Sequence, residues 1–161
     1  VAGRHGTGVL IGDQGHVLTA SSVVADRGSE AIVRLPDSTK LKGRTTSIDK
    51  DAKCGVIKLD KKPGVPGLII SDKDDLPNIG IYVGLSYSPT WHQAKEAAPY
   101  LTLIVDSDKS TVRPDYAVPG AWQGGPLFDV LGHVVGIHTS GGASGKTTFS
   151  RVHNLKLEPP R

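Results

Sequence analysis

A single cysteine in 161 residues, Cys54, excludes any internal disulfide and with it a disulfide-stapled secreted domain. No apolar run reaches the roughly 18–20 residues that span a bilayer, so no membrane insertion by this segment is expected. No signal peptide opens the chain. Because Val1 is not an initiator methionine, the chain reads as a fragment or mature form whose targeting signals lie elsewhere. The 19 basic and 16 acidic residues form no run of five like charges. That pattern, with a formal net charge of +3, reads as an ordinary solvated surface with no nucleic-acid partner. Fixed-period repeats and low-complexity tracts are also missing.

What is present favours strands. Hydrophobic residues make up 37% of the chain, enough for a core, and 20 glycines with 11 prolines supply many turns. "GTGVLIGDQGHVLTASSVV" reads as a hairpin turning at Asp13-Gln14-Gly15. "AIVRL", "PDST" and "KLKGRTTSI" read as a second hairpin, and "CGVIKL" as a buried strand. "DKKPGVPG" lacks apolar periodicity and reads as a linker. Beyond it, "GLII", "GIYVGLSY", "YLTLIVDS", "GPLFDV" and "HVVGIHT" are strand-like; only "QAKEAA" (93–98) has helix-forming composition, and it is too short to stand alone. The expected organisation is all-β with little helix. An N-terminal β-barrel lobe occupies 1–60, a linker 61–67 and a C-terminal β-barrel lobe 68–161.

Four collinear segments carry a family resemblance. The hairpin 6–24, "DKDAKCGVIKLD" (49–60), "LIISDKDDLPNIGIYVGLSYSP" (68–89) and "VRPDYAVPGAWQGGPLFDVLGHVVGI" (112–137) resemble, in order, segments of the HtrA (DegP-like) serine proteases. The resemblance implies a chymotrypsin/trypsin-like fold of two antiparallel β-barrels, the first lacking a leading strand. By the family pattern it also implies a cell-envelope, periplasmic or organellar location.

The same resemblance assigns places for the catalytic triad. Such chemistry needs a hydroxyl nucleophile, an imidazole base and an orienting carboxylate. The histidine place falls on Ser22, the aspartate place on Lys53 and the nucleophile place on Gln123. A hydroxyl is no general base near neutral pH, a lysine reverses the orienting charge, and an amide does not attack a carbonyl. In the turn that forms the oxyanion hole, Ala121 stands where glycine is usual and Trp122 where residues are small. The expectation is a pseudoprotease, not an enzyme, that serves as a binding or scaffold module for a peptide or protein partner. The vestigial pocket then comprises Ala121, Trp122, Gln123, His138, Thr139 and Ser140. His138 and Thr139 are placed to donate hydrogen bonds to a carboxylate, or are sealed in a pocket that no longer opens. The strand edge near 136–141 is expected to pair with an extended peptide.

Two alternatives use other residues. Six histidines (His5, His16, His92, His133, His138, His153) suggest a transition-metal site, but no pair has helical H-x-x-x-H spacing, so no metal ligand is assigned. A hydrolase with an unconventional site would turn to Cys54, whose apolar context instead reads as structural. "GGASGKTT" lacks phosphate-loop spacing, because Gly141 and Gly145-Lys146 are one residue too close. No cofactor is called for.

Overall fold

The computed structural model describes residues 4–72, 79–88, 93–115, 123–140, 147–152 and 155. All regular structure among them is β. The first sheet holds β1 (Gly8–Ile11), β2 (His16–Ala20), β3 (Glu30–Arg34), β4 (Lys40–Asp49) and β5 (Cys54–Leu59), in the order β1-β2-β5-β4-β3. It is an open half-barrel, with β1 and β3 at its ends. The second holds β6 (Ile79–Ser88), β7 (Gln93–Ser107), β8 (Thr111–Pro114), β9 (Pro126–Phe128), β10 (Val134–Ser140) and β11 (Thr148–Arg151). It closes into a barrel, β10-β11-β8-β7-β6-β9.

Alternation explains how the first sheet is packed. Val17, Ile57 and Leu59 point into the half-barrel, where Val24 joins them and Leu10, Ala31, Val33, Leu41 and Ile48 pack against them. The next residues along the strands, Val9, Ile11, Leu18, Cys54 and Val56, point the other way and form one apolar cluster with Val134, Ile137 and Val152 of the second sheet. Burial of both faces of β2 and β5 therefore joins the two sheets. The segment after the prolines adds backbone stitches: Leu68 N donates to Leu10 O (2.7 Å) and Ser71 N to Val134 O (2.9 Å).

Two strands escape the sequence pattern, and one segment departs from it. β8 and β11 are four-residue strands, "TVRP" and "TFSR", too short to show a period. Residues 93–98, helix-forming by composition, are strand because β6 pairs with them from Leu85↔Ala97 to Ser88↔Gln93; partners across the ladder override intrinsic preference. "GLII" forms only isolated bridges, at Leu68 and Ile70.

Candidate functional site

The Gly124-Gly125 turn lies where the two sheets meet. Gly124 has φ +88°, and a Cβ there would stand 1.9 Å from Thr7 O and 2.4 Å from Thr19 Oγ1. Only glycine fits both the left-handed backbone and that space. A Cβ on Gly125 would meet Tyr82 Oη at 2.8 Å. Backbone bonds hold the turn on both sides: Thr7 N donates to Gln123 O (2.9 Å), Gly124 N to His138 O (2.8 Å) and His138 N to Gly125 O (2.9 Å). Thr19 Oγ1 donates to Thr7 O at 2.6 Å, which fixes the first-sheet side of the joint. Thr7, Thr19 and Tyr82 were not singled out from sequence, although both threonines lie in the quoted N-terminal hairpin.

Two of the three places expected for a triad, Ser22 and Gln123, come into contact. Ser22 Oγ donates to Gln123 Oε1 at 2.5 Å, across 101 positions of sequence. Ser22 is exposed and Gln123 half-buried. Lys53 follows the β4–β5 turn with φ +53°, and its carbonyl accepts from Ser21 N at 2.7 Å, beside Ser22. Its side chain is exposed. A hydroxyl and an amide thus meet across the seam, and the Lys53 backbone, not its ammonium, is tied to the segment that carries Ser22. Ala121 and Trp122 lie outside the described residues.

The pocket residues separate. His138 is fully buried, with Tyr82 at 5.8 Å and Phe149 at 5.3 Å between ring centroids, and Nε2 lies 3.1 Å from Ser140 O. Thr139 is also buried, its Oγ1 2.9 Å from Ser150 Oγ. Ser140 is half-buried at the end of β10. Of the expected peptide-pairing edge near 136–141, residues 136–138 are occupied: β9 and β11 flank β10, and Gly124 and Gly125 take both backbone groups of His138; residue 141 lies outside the described residues.

The remaining reactive groups are dispersed. Cys54 is 2% exposed. Burial, with a smaller contribution from the Asp49 carboxylate, pushes its thiol up to about 12, so it is held as the non-nucleophilic thiol. His16, half-buried on β2, is shifted below the ordinary imidazole value by burial and then by Lys58. His133 Nδ1 lies 3.4 Å from Asp129 Oδ2 in the β9–β10 turn. His92 and His153 lie outside the described residues. Among the described residues, no three His, Cys, Asp or Glu side chains converge as a metal site.

The model of the trypsin-like peptidase domain matches residues 6–137. The chain belongs to that family. Within it the domain is HtrA/DegP-like. It is 33% identical over 140 residues to a probable periplasmic serine endoprotease, DegP-like, from Pseudomonas putida, covering 83% of this chain and 28% of that protein. A relative of the same description from Halomonas elongata is 31% identical over 140 residues, covering 83% and 29%. The chain therefore spans less than a third of the length of these relatives. Among solved structures, the serine endoprotease from Yersinia pestis superposes with a TM-score of 0.74 at 20% identity, covering 91% of this chain and 53% of that one. The MamO protease domain from Magnetospirillum magneticum gives 0.68 at 18%, covering 94% and 85%. These two likenesses establish the two-lobed trypsin-like fold.

Proposed function

We propose that this trypsin-like domain binds an extended peptide or protein segment at the rim between its lobes and does not hydrolyse it. The observation that carries the reading is the Ser22–Gln123 hydrogen bond. In a serine peptidase the corresponding contact joins the hydroxyl nucleophile to the imidazole that takes its proton. Here a hydroxyl donates to an amide oxygen, and neither partner has a lone pair basic enough to generate a nucleophile near neutral pH. Lys53 supplies a cation in place of the orienting carboxylate. Cys54, the single thiol, is buried and held protonated. The Ser22–Gln123 pair keeps groups suited to recognition, a hydroxyl and an amide, and the Lys53 side chain is exposed.

The test pairs cleavage with binding. Casein and a library of labelled extended peptides are incubated with the full chain, and products are read by mass spectrometry. Retention is read by fluorescence anisotropy. Intact peptides with saturable binding, weakened by Ser22→Arg at the rim, are the expected result. Cleavage that copurifies with the folded protein and disappears on denaturation would overturn it, and so would a library with no retained member.

A further inference from the structure

The outer face of the first sheet divides into an apolar half and a basic half. Cross-strand partners share a face, and so do residues two apart on a strand. One row runs His16↔Lys58↔Arg44↔Glu30 across β2, β5, β4 and β3, and two more run Lys42↔Ile32 and Lys40↔Arg34. These rows continue the face whose other half, Val9, Leu18, Cys54 and Val56, is buried against the second barrel. The basic half carries five cations: Arg34, Lys40, Lys42, Arg44 and Lys58. All but the half-buried Lys58 are exposed. Its one strand carboxylate, Glu30, is paired with Arg44 at 3.3 Å. Lys58 Nζ also donates to Gln14 O. Asp60 stands at the margin, its N–H bonded to Lys42 O, followed by Lys61 and Lys62, the latter 3.8 Å from Asp13. The whole chain has a formal net charge of only +3, so this one face gathers its positive excess.

We propose that this face docks the domain on an anionic phospholipid surface. Strand spacing of about 5 Å and a repeat of about 7 Å between alternate residues lay the cations out in two dimensions over three strands. A layer of headgroup phosphates meets all of them together, whereas a single extended acidic peptide follows one row. Ile32, 70% exposed, lies among Arg34, Lys40 and Lys42. Its one acidic neighbour on the face, Glu30, is paired with Arg44; an apolar side chain so flanked by cations gains from entering the acyl boundary of a bilayer, whereas against a nucleic-acid backbone it stays in water. The contact is peripheral, through strands, and independent of the cleft.

Vesicle flotation of the full chain tests this. Flotation is expected with vesicles of phosphatidylcholine containing phosphatidylglycerol, not with phosphatidylcholine alone, and it should fall as salt is raised. Each neutralised cation, in Lys40→Gln and Lys42→Gln, should lower partition about five-fold. Ile32→Ser should lower it further, while Arg113→Gln on β8 should not. Thermal melts confirm that these surface variants fold. Equal flotation with both lipids, or unchanged partition in the two lysine variants, overturns the proposal. Binding of duplex DNA or polyglutamate without vesicle binding assigns the face to another polyanion and overturns it equally.

Discussion

Ser22 Oγ and Gln123 Oε1 lie 2.5 Å apart, one from the segment after β2 and the other from the turn before β9. The pair links the first sheet's side of the seam to the turn that leads into β9 of the second sheet. On the proposed reading these are the base and nucleophile places with a hydroxyl and an amide in them, and the first expectation follows from that.

Restoring the hydroxyl alone should not restore turnover. Gln123→Ser leaves Ser22 and Lys53 in place, so the new hydroxyl meets another hydroxyl and no base. Fluorogenic peptide assays should match those of the unaltered protein. Slow but saturable cleavage in this single variant would falsify the placement of Ser22 or Lys53.

Carboxylate recognition by His138 and Thr139 is not expected from their burial. The imidazole meets the Tyr82 ring edge-to-face and the Phe149 ring at a tilt, and the Thr139 hydroxyl is engaged with Ser150. Because these two side chains are enclosed, peptides differing only by glutamate or glutamine should bind with equal affinity at pH 6 and pH 8. A roughly ten-fold preference for glutamate, removed by His138→Phe, would show that the ring is reachable by ligand.

Cys54 should resist thiol reagents in the native state and react quickly after denaturation. Burial pushes its thiol up to about 12 in the fold, well above the ordinary value of a cysteine, about 9. Both states hold the proton below about pH 9, so its stabilising effect is complete there. As pH rises from about 9 towards 12 the unfolded chain releases the proton first and stability falls, by at most roughly 1.4 kcal/mol per pH unit. Denaturant titrations at pH 8, 9.5 and 10.5 should show that decline, and Cys54→Ala should flatten it.

Gly124→Ala should be among the most damaging single substitutions. It combines a Cβ 1.9 Å from Thr7 O with a left-handed backbone, and we expect a loss of about 3 kcal/mol. Gly132→Ala, also at positive φ but with nothing within 4 Å, should cost less, about 1 kcal/mol. Similar midpoints for the two variants in urea would remove packing as the cause.

Strongly marked local patterns were legible in the sequence. The Asp13-Gln14-Gly15 turn between alternating strands specified the first hairpin, and Pro36-Asp37 did so for the second, because a turn and a period of two are local properties. Relationships between distant residues were not legible in that way. Residues 93–98 become strand only because β6 lies beside them. The basic face is invisible along the chain, since Arg34, Lys40, Lys42, Arg44 and Lys58 never form a run; β-pairing gathers them. His138 was visible as a pocket candidate, but its burial depends on Tyr82 and Phe149, which are 56 positions before it (138 minus 82) and 11 after it (149 minus 138) in the sequence. The triad places came from resemblance, and the Ser22–Gln123 bond required the folded seam.

The glycine turn has a consequence for how such chains diverge. Gly124 and Gly125 are demanded by Thr7, Thr19 and Tyr82, through close packing alone. Gly124 has no room for a side chain, because its turn is a hinge pin between two sheets that share one apolar cluster. A Gly-Gly-Pro signature in a trypsin-like sequence therefore reports an intact mechanical joint, and the residue before it must be judged separately.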